Sequence, residues 1–472
     1  MAVQDEFANL DAVAQAEVVR SGVATPLDLV EAAIARIEAL NPELNAVITP
    51  LFDQARAQAT SPTLPDGPFR GVPMVLKDFI CHSAGDPFFE GMQYLKNLAW
   101  TEDEDTYLAA KFREAGFIAV AKTNTCELGM TPDTQPQAFG PTRNPWNPNR
   151  TPFGSSGGSA AAVASRMVPV GHANDGGGSI RMPAGACGLV GLKPTNSRVS
   201  LGPEFGDIMG GLAVEHVVAR SVRDSAAVLD AISQPMPGDP APMDWAANRF
   251  AHAASQFPEQ RLRVGLMDSH TATTVHPDSV EAVGGAARML DELGHHVEVS
   301  HSAAIEDPRF FAAFGRQMCA GVAWVLDHYW PHRTGIPVAT DDVESLTWAM
   351  AEAGRAMNGG DLLAGREALQ RYGRDIARWF DESGFELLLT PTTPVPPPEV
   401  GTPAPIEACY FTFPFNSTGQ PAISLPLHES SDGLPIGIQL VARHGREDLL
   451  LSVAAQLEHH ANWASRKPPI SA

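Results

Sequence analysis

Three consecutive segments, "RLRVGLMD", "PDSVEAVGGAARMLDELG" and "HHVEVS", occupy residues 261–300 and constrain the fold more than any other stretch. The outer two are short apolar runs suited to buried strands. The middle one has helical length, with Val280, Val283, Leu290 and Leu293 expected on one face. Strand, covering helix and returning strand make a βαβ unit, so an α/β fold follows, a sheet packed under helices. The rhythm recurs. "EDTYLAAKFREAG" from Glu104 feeds into the strand-like "FIAVAKT", and "GVPMVLKDFI" reads as another buried strand. "FELLLTPT" and "IGIQLVAR" return as strands before a last helix, "EDLLLSVAAQLEHH".

The first 60 residues read as helices. "TPLDLVEAAIARIEALNPELNAV" starts at Thr25-Pro26, repeats Leu27, Val30, Ile34 and Ile37 at helical spacing, and is expected to stop at Asn41-Pro42. "QPMPGDPAPMDW" (234–245) is a loop, and residues 305–380 form a mostly helical, cap-like segment. No internal repeat divides the chain, so residues 1–472 are read as one domain.

The charge balance narrows the partners. Asp and Glu outnumber Lys and Arg by 55 to 33, a formal net charge of −22. Phosphate backbones and anionic lipid would repel such a chain, so neither nucleic acid nor membrane is expected. No run approaches the roughly 18 apolar residues of a membrane span. The odd set Cys81, Cys126, Cys187, Cys319 and Cys409 contains no CxxC pair. Reduced thiols follow, and with no signal-like N-terminus a cytoplasmic location is expected. The histidines are scattered without HExxH, so no metal is expected.

Two Gly/Ser runs then demand an account: "GSSGGSAAAVAS" from Gly154 to Ser165 and "GGGS" from Gly176 to Ser179. The composition suits a flexible linker, but "AAAVASRMVPVGHAND" continues as apolar, helix-compatible sequence, so the first run reads as a tight loop entering a helix. A nucleophile elbow at Ser156 would need a preceding strand, and "NPWNPNRTPF" precedes it instead. Neither run carries the P-loop lysine pattern. A further reading joins both runs with Lys77. Successive glycines before a serine let backbone N–H groups approach a carbonyl oxygen, and a lysine closing an apolar run can be desolvated into a base. Each piece alone also has a plain structural reading.

Taken together, the stretch "GSSGGSAAAVASRMVPVGHANDGGGSIRMPAGACGLVGLKPT" resembles the amidase signature family, as do "GVPMVLKD", "FPFNSTGQPAISLP" and "GLPIGIQL". "LNPELNAVI", "TRNPWNPNR" and "GREDLLLSVAAQLE" look like its 6-aminohexanoate cyclic dimer hydrolase branch, which acts on nylon-type oligomers. The resemblance implies a large mixed sheet covered by helices on both faces, with residues 70–200 as the catalytic core. It implies a Ser-Ser-Lys triad: Ser179 as nucleophile, Ser155 as the bridging serine with a cis peptide bond, and Lys77 as base. Gly176, Gly177 and Gly178 would form the oxyanion hole, while Asp175, Arg181 and Ser156 would be structural neighbours. Met130, Cys319, Phe415 and Asn416 would line the substrate pocket. No cofactor is implied, and the chain would act as a monomer or homodimer on a small-molecule amide or carbamate.

Departures from the family pattern bear on the substrate. "NDGGGS" puts Gly176 where the family usually has a bulkier residue, and Phe79 follows "KD" where many members have Asn. The segment "EVGTPAPIEACYFTFPFN" is short. These imply a roomy, apolar site for aryl or alkyl amides, extending to carbamates. Two alternatives stay open: a glutamine-hydrolysing subunit of a tRNA-dependent amidotransferase, separable by a glutaminase assay, and a non-catalytic binding protein on the same fold. The second should have lost a triad member, and all three are present.

Overall fold

In a computed structural model that describes residues 6–472, the βαβ rhythm is one edge of a single mixed sheet. Its eleven strands are β1 (Val47–Pro50), β2 (Pro73–Lys77), β3 (Ile118–Thr123), β4 (Val170–Asp175), β5 (Val190–Lys193), β6 (Val214–Ala219), β7 (Arg263–Leu266), β8 (His296–Val299), β9 (Leu387–Pro391), β10 (Ala422–Glu429) and β11 (Pro435–Ala442). They lie in the order β1-β3-β2-β4-β6-β5-β10-β11-β9-β7-β8. Pairing is parallel for β2 with β3 and β4, and for β7 with β8 and β9. The other neighbours run antiparallel.

The two-residue period of the strands divides the core between the sheet faces. Met74 and Leu76 of β2, with Leu387 and Leu389 of β9, join a cluster under the helices Val222–Ile232, Pro277–Glu292 and Glu447–Ala461. Val75 points the other way, into the helices Pro26–Leu44 and Gly157–Ala164, and Leu388 packs beneath the helices Pro308–Trp324 and Gly359–Ser383. Helices thus cover both faces, and the segment over residues 308–383 rests on the C-terminal half of the sheet. Lys77, two residues beyond Val75, takes its face.

Several local expectations need correction. The helix from Pro26 does not stop at Asn41-Pro42 but runs to Leu44. Pro42 removes a single N–H near the end of the helix, while fully buried Leu44 and left-handed Asn45 hold and close the last turn. Residues 47–50 form strand β1 within the supposedly all-helical start, pairing with β3. Helix formation after Gly157 ends at Ala164, and residues 170–175 form β4 instead of continuing it. On the helix Pro277–Glu292, Val283 and Leu290 are fully buried but Val280 is 39 % exposed. The inward face follows Ser279, Ala282, Ala286 and Leu290, and Val280 lies at its edge. Among the described residues, no helix is long and apolar enough to cross a membrane.

Candidate active site

Two short helices begin side by side on the face that Lys77 enters, and each is preceded by a serine. Ser155 stands just before Gly157–Ala164, and Ser179 just before Arg181–Cys187. The Gly154–Ser155 peptide bond is cis. Lys77 is fully buried, and its Nζ donates to Ser155 Oγ at 2.7 Å and to Asn174 Oδ1. Burial pushes the Lys77 ammonium down to about 8, outweighing the attraction of Cys126, Glu215 and Asp175.

The support of Lys77 is a chain of oriented groups. Its backbone N–H donates to His172 Nδ1 at 3.2 Å, so the imidazole carries its proton on Nε2, which donates to Glu215 Oε2 at 2.6 Å. Asn174 Nδ2 donates to the Phe79 carbonyl at 3.0 Å, fixing the amide that faces Lys77. Asp78 turns away into a buried ion pair with Lys122 at 2.9 Å.

The loop before Ser179 is held from beneath. Arg181 grips Asp175 with two bonds, Nε to Oδ2 and Nη2 to Oδ1, both 2.9 Å. The Asp175 carboxyl also accepts from the amides of Gly178 (2.7 Å) and Ile180 (3.2 Å). Although burial alone would raise it, the Arg181 guanidinium holds this carboxyl well below the usual range. Gly178 therefore departs from the expected oxyanion role: its N–H is taken up by Asp175. The amides of Gly176, Gly177 and Ser179 have no acceptor among the described residues. Gly178 has φ +138°, and a Cβ there would stand 2.4 Å from Thr412 Oγ1, whereas a Cβ at Gly176 would meet nothing within 4 Å. Ser156 supports the same region, its hydroxyl donating to the Asn174 carbonyl at 3.2 Å.

Ser155, Ser179, Gly176 and Gly177 share the lining of a cavity of about 430 Å³. The Ser179 hydroxyl makes no hydrogen bond among the described residues. Apolar side chains supply the walls, including Phe79, Met182, Phe314, Met318 and Phe413. Met130 and Cys319 line the cavity, Cys319 from the helix Pro308–Trp324, with its thiol pushed up by partial burial. Phe415 and Asn416 do not. Phe415 is buried in the core, roughly 200° around the short helix Phe413–Ser417 from Phe413, whose ring meets Phe314 at 4.4 Å. Asn416 is drawn into the Asp175–Arg181 network, donating to Asp175 Oδ1 at 2.9 Å and accepting from Arg181 at 2.6 Å.

Asn174, His172 and Glu215 were not singled out from sequence. Their signal lay in "HAND": once 170–175 is a strand, His172 and Asn174 fall on one face. Glu215 reaches them across the β4–β6 pairing.

Fold and site together define an amide-bond hydrolase, and the Amidase family model matches residues 28–451. The chain belongs to that family and is a hydrolase of carbon–nitrogen bonds other than peptide bonds. It is 42 % identical over 481 residues to the 6-aminohexanoate-cyclic-dimer hydrolase of Paenarthrobacter ureafaciens, covering 98 % of this chain and 96 % of that protein. A solved 6-aminohexanoate cyclic dimer hydrolase complexed with substrate superposes with a TM-score of 0.93 at 41 % identity, covering 98 % of this chain and 99 % of the other. A bacterial aryl acylamidase of the amidase signature family superposes with a TM-score of 0.88 at 25 % identity, covering 97 % and 99 %.

Proposed function

We propose that Ser179 is the nucleophile of an acyl-enzyme mechanism, with Ser155 as proton relay and Lys77 as base. The observation that carries this reading is the 2.7 Å bond from a desolvated Lys77 to Ser155 at the wall of the cavity that Ser179 also lines. Neutral Lys77 accepts the Ser155 proton as Ser155 accepts that of Ser179, whose Oγ adds to the substrate carbonyl. The free amides of Gly176, Gly177 and Ser179 receive the oxyanion, each such donor contributing roughly 3–4 kcal/mol in comparable sites. The proton returns through Ser155 to the departing amine. Water, activated by the same relay, then hydrolyses the acyl-enzyme and restores Ser179.

The substrates are aryl and alkyl amides, nylon-type oligomers among them, in keeping with the named relatives. The apolar walls and the open space beside Gly176 support bulky acyl groups. Carbamates fall within the same chemistry, since Ser179 can add to the carbamate carbonyl and expel either an alcohol or an amine. The purified protein is expected to release chromophore from both a 4-nitroanilide and an aryl carbamate. Hydrolysis of neither would overturn this substrate assignment.

A further inference from the structure

A side cavity of about 40 Å³ abuts the main one, and Phe79, Ile80, Leu128, Ile208 and Met209 line both. Beyond them it is walled by the rings of Phe205, Trp324 and Tyr329, whose centroids lie 5.3–6.3 Å apart. Glu90 is its single charged lining residue among those described. This carboxyl is 6 % exposed. Its Oε2 accepts from the Trp330 indole at 3.0 Å. No cation answers it among the described residues. Lys122 pairs with Asp78, and Arg333 is held between Glu102 and Glu204. Burial pushes Glu90 up to about 8 in this setting, the expected response of a carboxyl without a counter-ion.

Aromatic rings around one buried carboxyl are surroundings that recognise an organic cation, and the Tyr329 ring already carries one, the Arg333 guanidinium, 5.5 Å from its centroid. The volume suits a small head group. We propose that this side cavity is a subsite for a primary ammonium group carried by the substrate on an alkyl chain. It rests on the reading of the main cavity as the acyl-transfer site. An ammonium seated there pairs with ionised Glu90, so the buried unit is neutral overall, and the rings shield the pair from water. The enzyme then favours ω-amino amides over equally long alkyl amides.

Two measurements on the intact protein test this. Calorimetric titration with hexylammonium and with 1-hexanol compares a charged and an uncharged head on one chain. The ammonium should bind about tenfold tighter or more, in line with a desolvated cation–π and ion-pair site. Glu90→Gln should abolish that difference. Trp324→Leu, at a half-exposed ring the fold does not need buried, should reduce it several-fold and guards against a Glu90 variant that fails to fold. Equal affinity for the two probes, or a difference unchanged in Glu90→Gln, would overturn the subsite. In parallel, kcat/KM for the 4-nitroanilide of 6-aminohexanoic acid should exceed that of heptanoic acid. Selective binding without turnover of either anilide would refute the acyl-transfer reading and leave the ammonium subsite standing.

Discussion

The pH dependence of catalysis follows from where Lys77 sits. Its Nζ is fully buried, and desolvation lowers it from the ordinary 10.5 to about 8, against the opposing pull of Cys126, Glu215 and Asp175. Only the neutral amine can accept a proton. With a value of about 8, roughly 3 % is neutral at pH 6.5, half at pH 8 and about 97 % at pH 9.5. If neutral Lys77 is the base, kcat/KM rises about thirtyfold between pH 6.5 and 9.5, with a slope near tenfold per unit at the acid end. Initial rates on a neutral 4-nitroanilide at constant ionic strength measure it, because kcat/KM reports the free enzyme. Glu215→Gln keeps an acceptor for His172 but removes a negative charge that holds the Lys77 proton, so the inflection should move to lower pH. A flat profile, an inflection at the ordinary lysine value near 10.5, or one unmoved in Glu215→Gln would show that a desolvated Lys77 is not the base.

Gly176→Ala should leave stability within about 0.5 kcal/mol, because a Cβ there meets nothing within 4 Å. It should nevertheless cut kcat/KM for a bulky acyl anilide about tenfold more than for the acetyl anilide, and equal losses would show that this wall does not select. Gly178→Ala should be inactive on every amide tested, since φ +138° and a 2.4 Å approach to Thr412 Oγ1 forbid the side chain without moving the loop. Asp175→Ala strands a fully buried Arg181 and should destabilise the fold by about 3–5 kcal/mol, read from the denaturant midpoint. A midpoint like that of the unsubstituted protein would refute the assigned role of this pair.

What could be read from the sequence divides along physical lines. Long amphipathic helices and the βαβ run of residues 261–300 declare themselves through periodicity, which is local. The four-residue strand β1 and the polar-ended strand β4 do not, since "VITP" is too short to show a period and "VGHAND" carries too few apolar residues. Chemistry alone joins Lys77 with the two Gly/Ser runs, but the separate roles of Ser155 and Ser179 were legible only through family resemblance. Lys77 and Ser155 meet because β2 ends beside the start of Gly157–Ala164, a relation between elements far apart in the chain. The partners that aim Lys77 are non-local in the same way, with His172 bonded to Glu215 across two strands. Gly178 illustrates a finer limit. A glycine run shows that backbone comes close to something, but not whether an amide faces the substrate or Asp175. Near Phe413, the motif placed an aromatic at the wall but missed which one, because a turn of helix reorients neighbours by about 100° each.

Whether Ser179 attacks the substrate is read from intact-protein mass after brief exposure to a fluorophosphonate, on the unsubstituted protein and on Ser179→Ala. One adduct is expected on the first and none on the second. Equal labelling of Ser179→Ala would contradict this and move the nucleophile to another side chain.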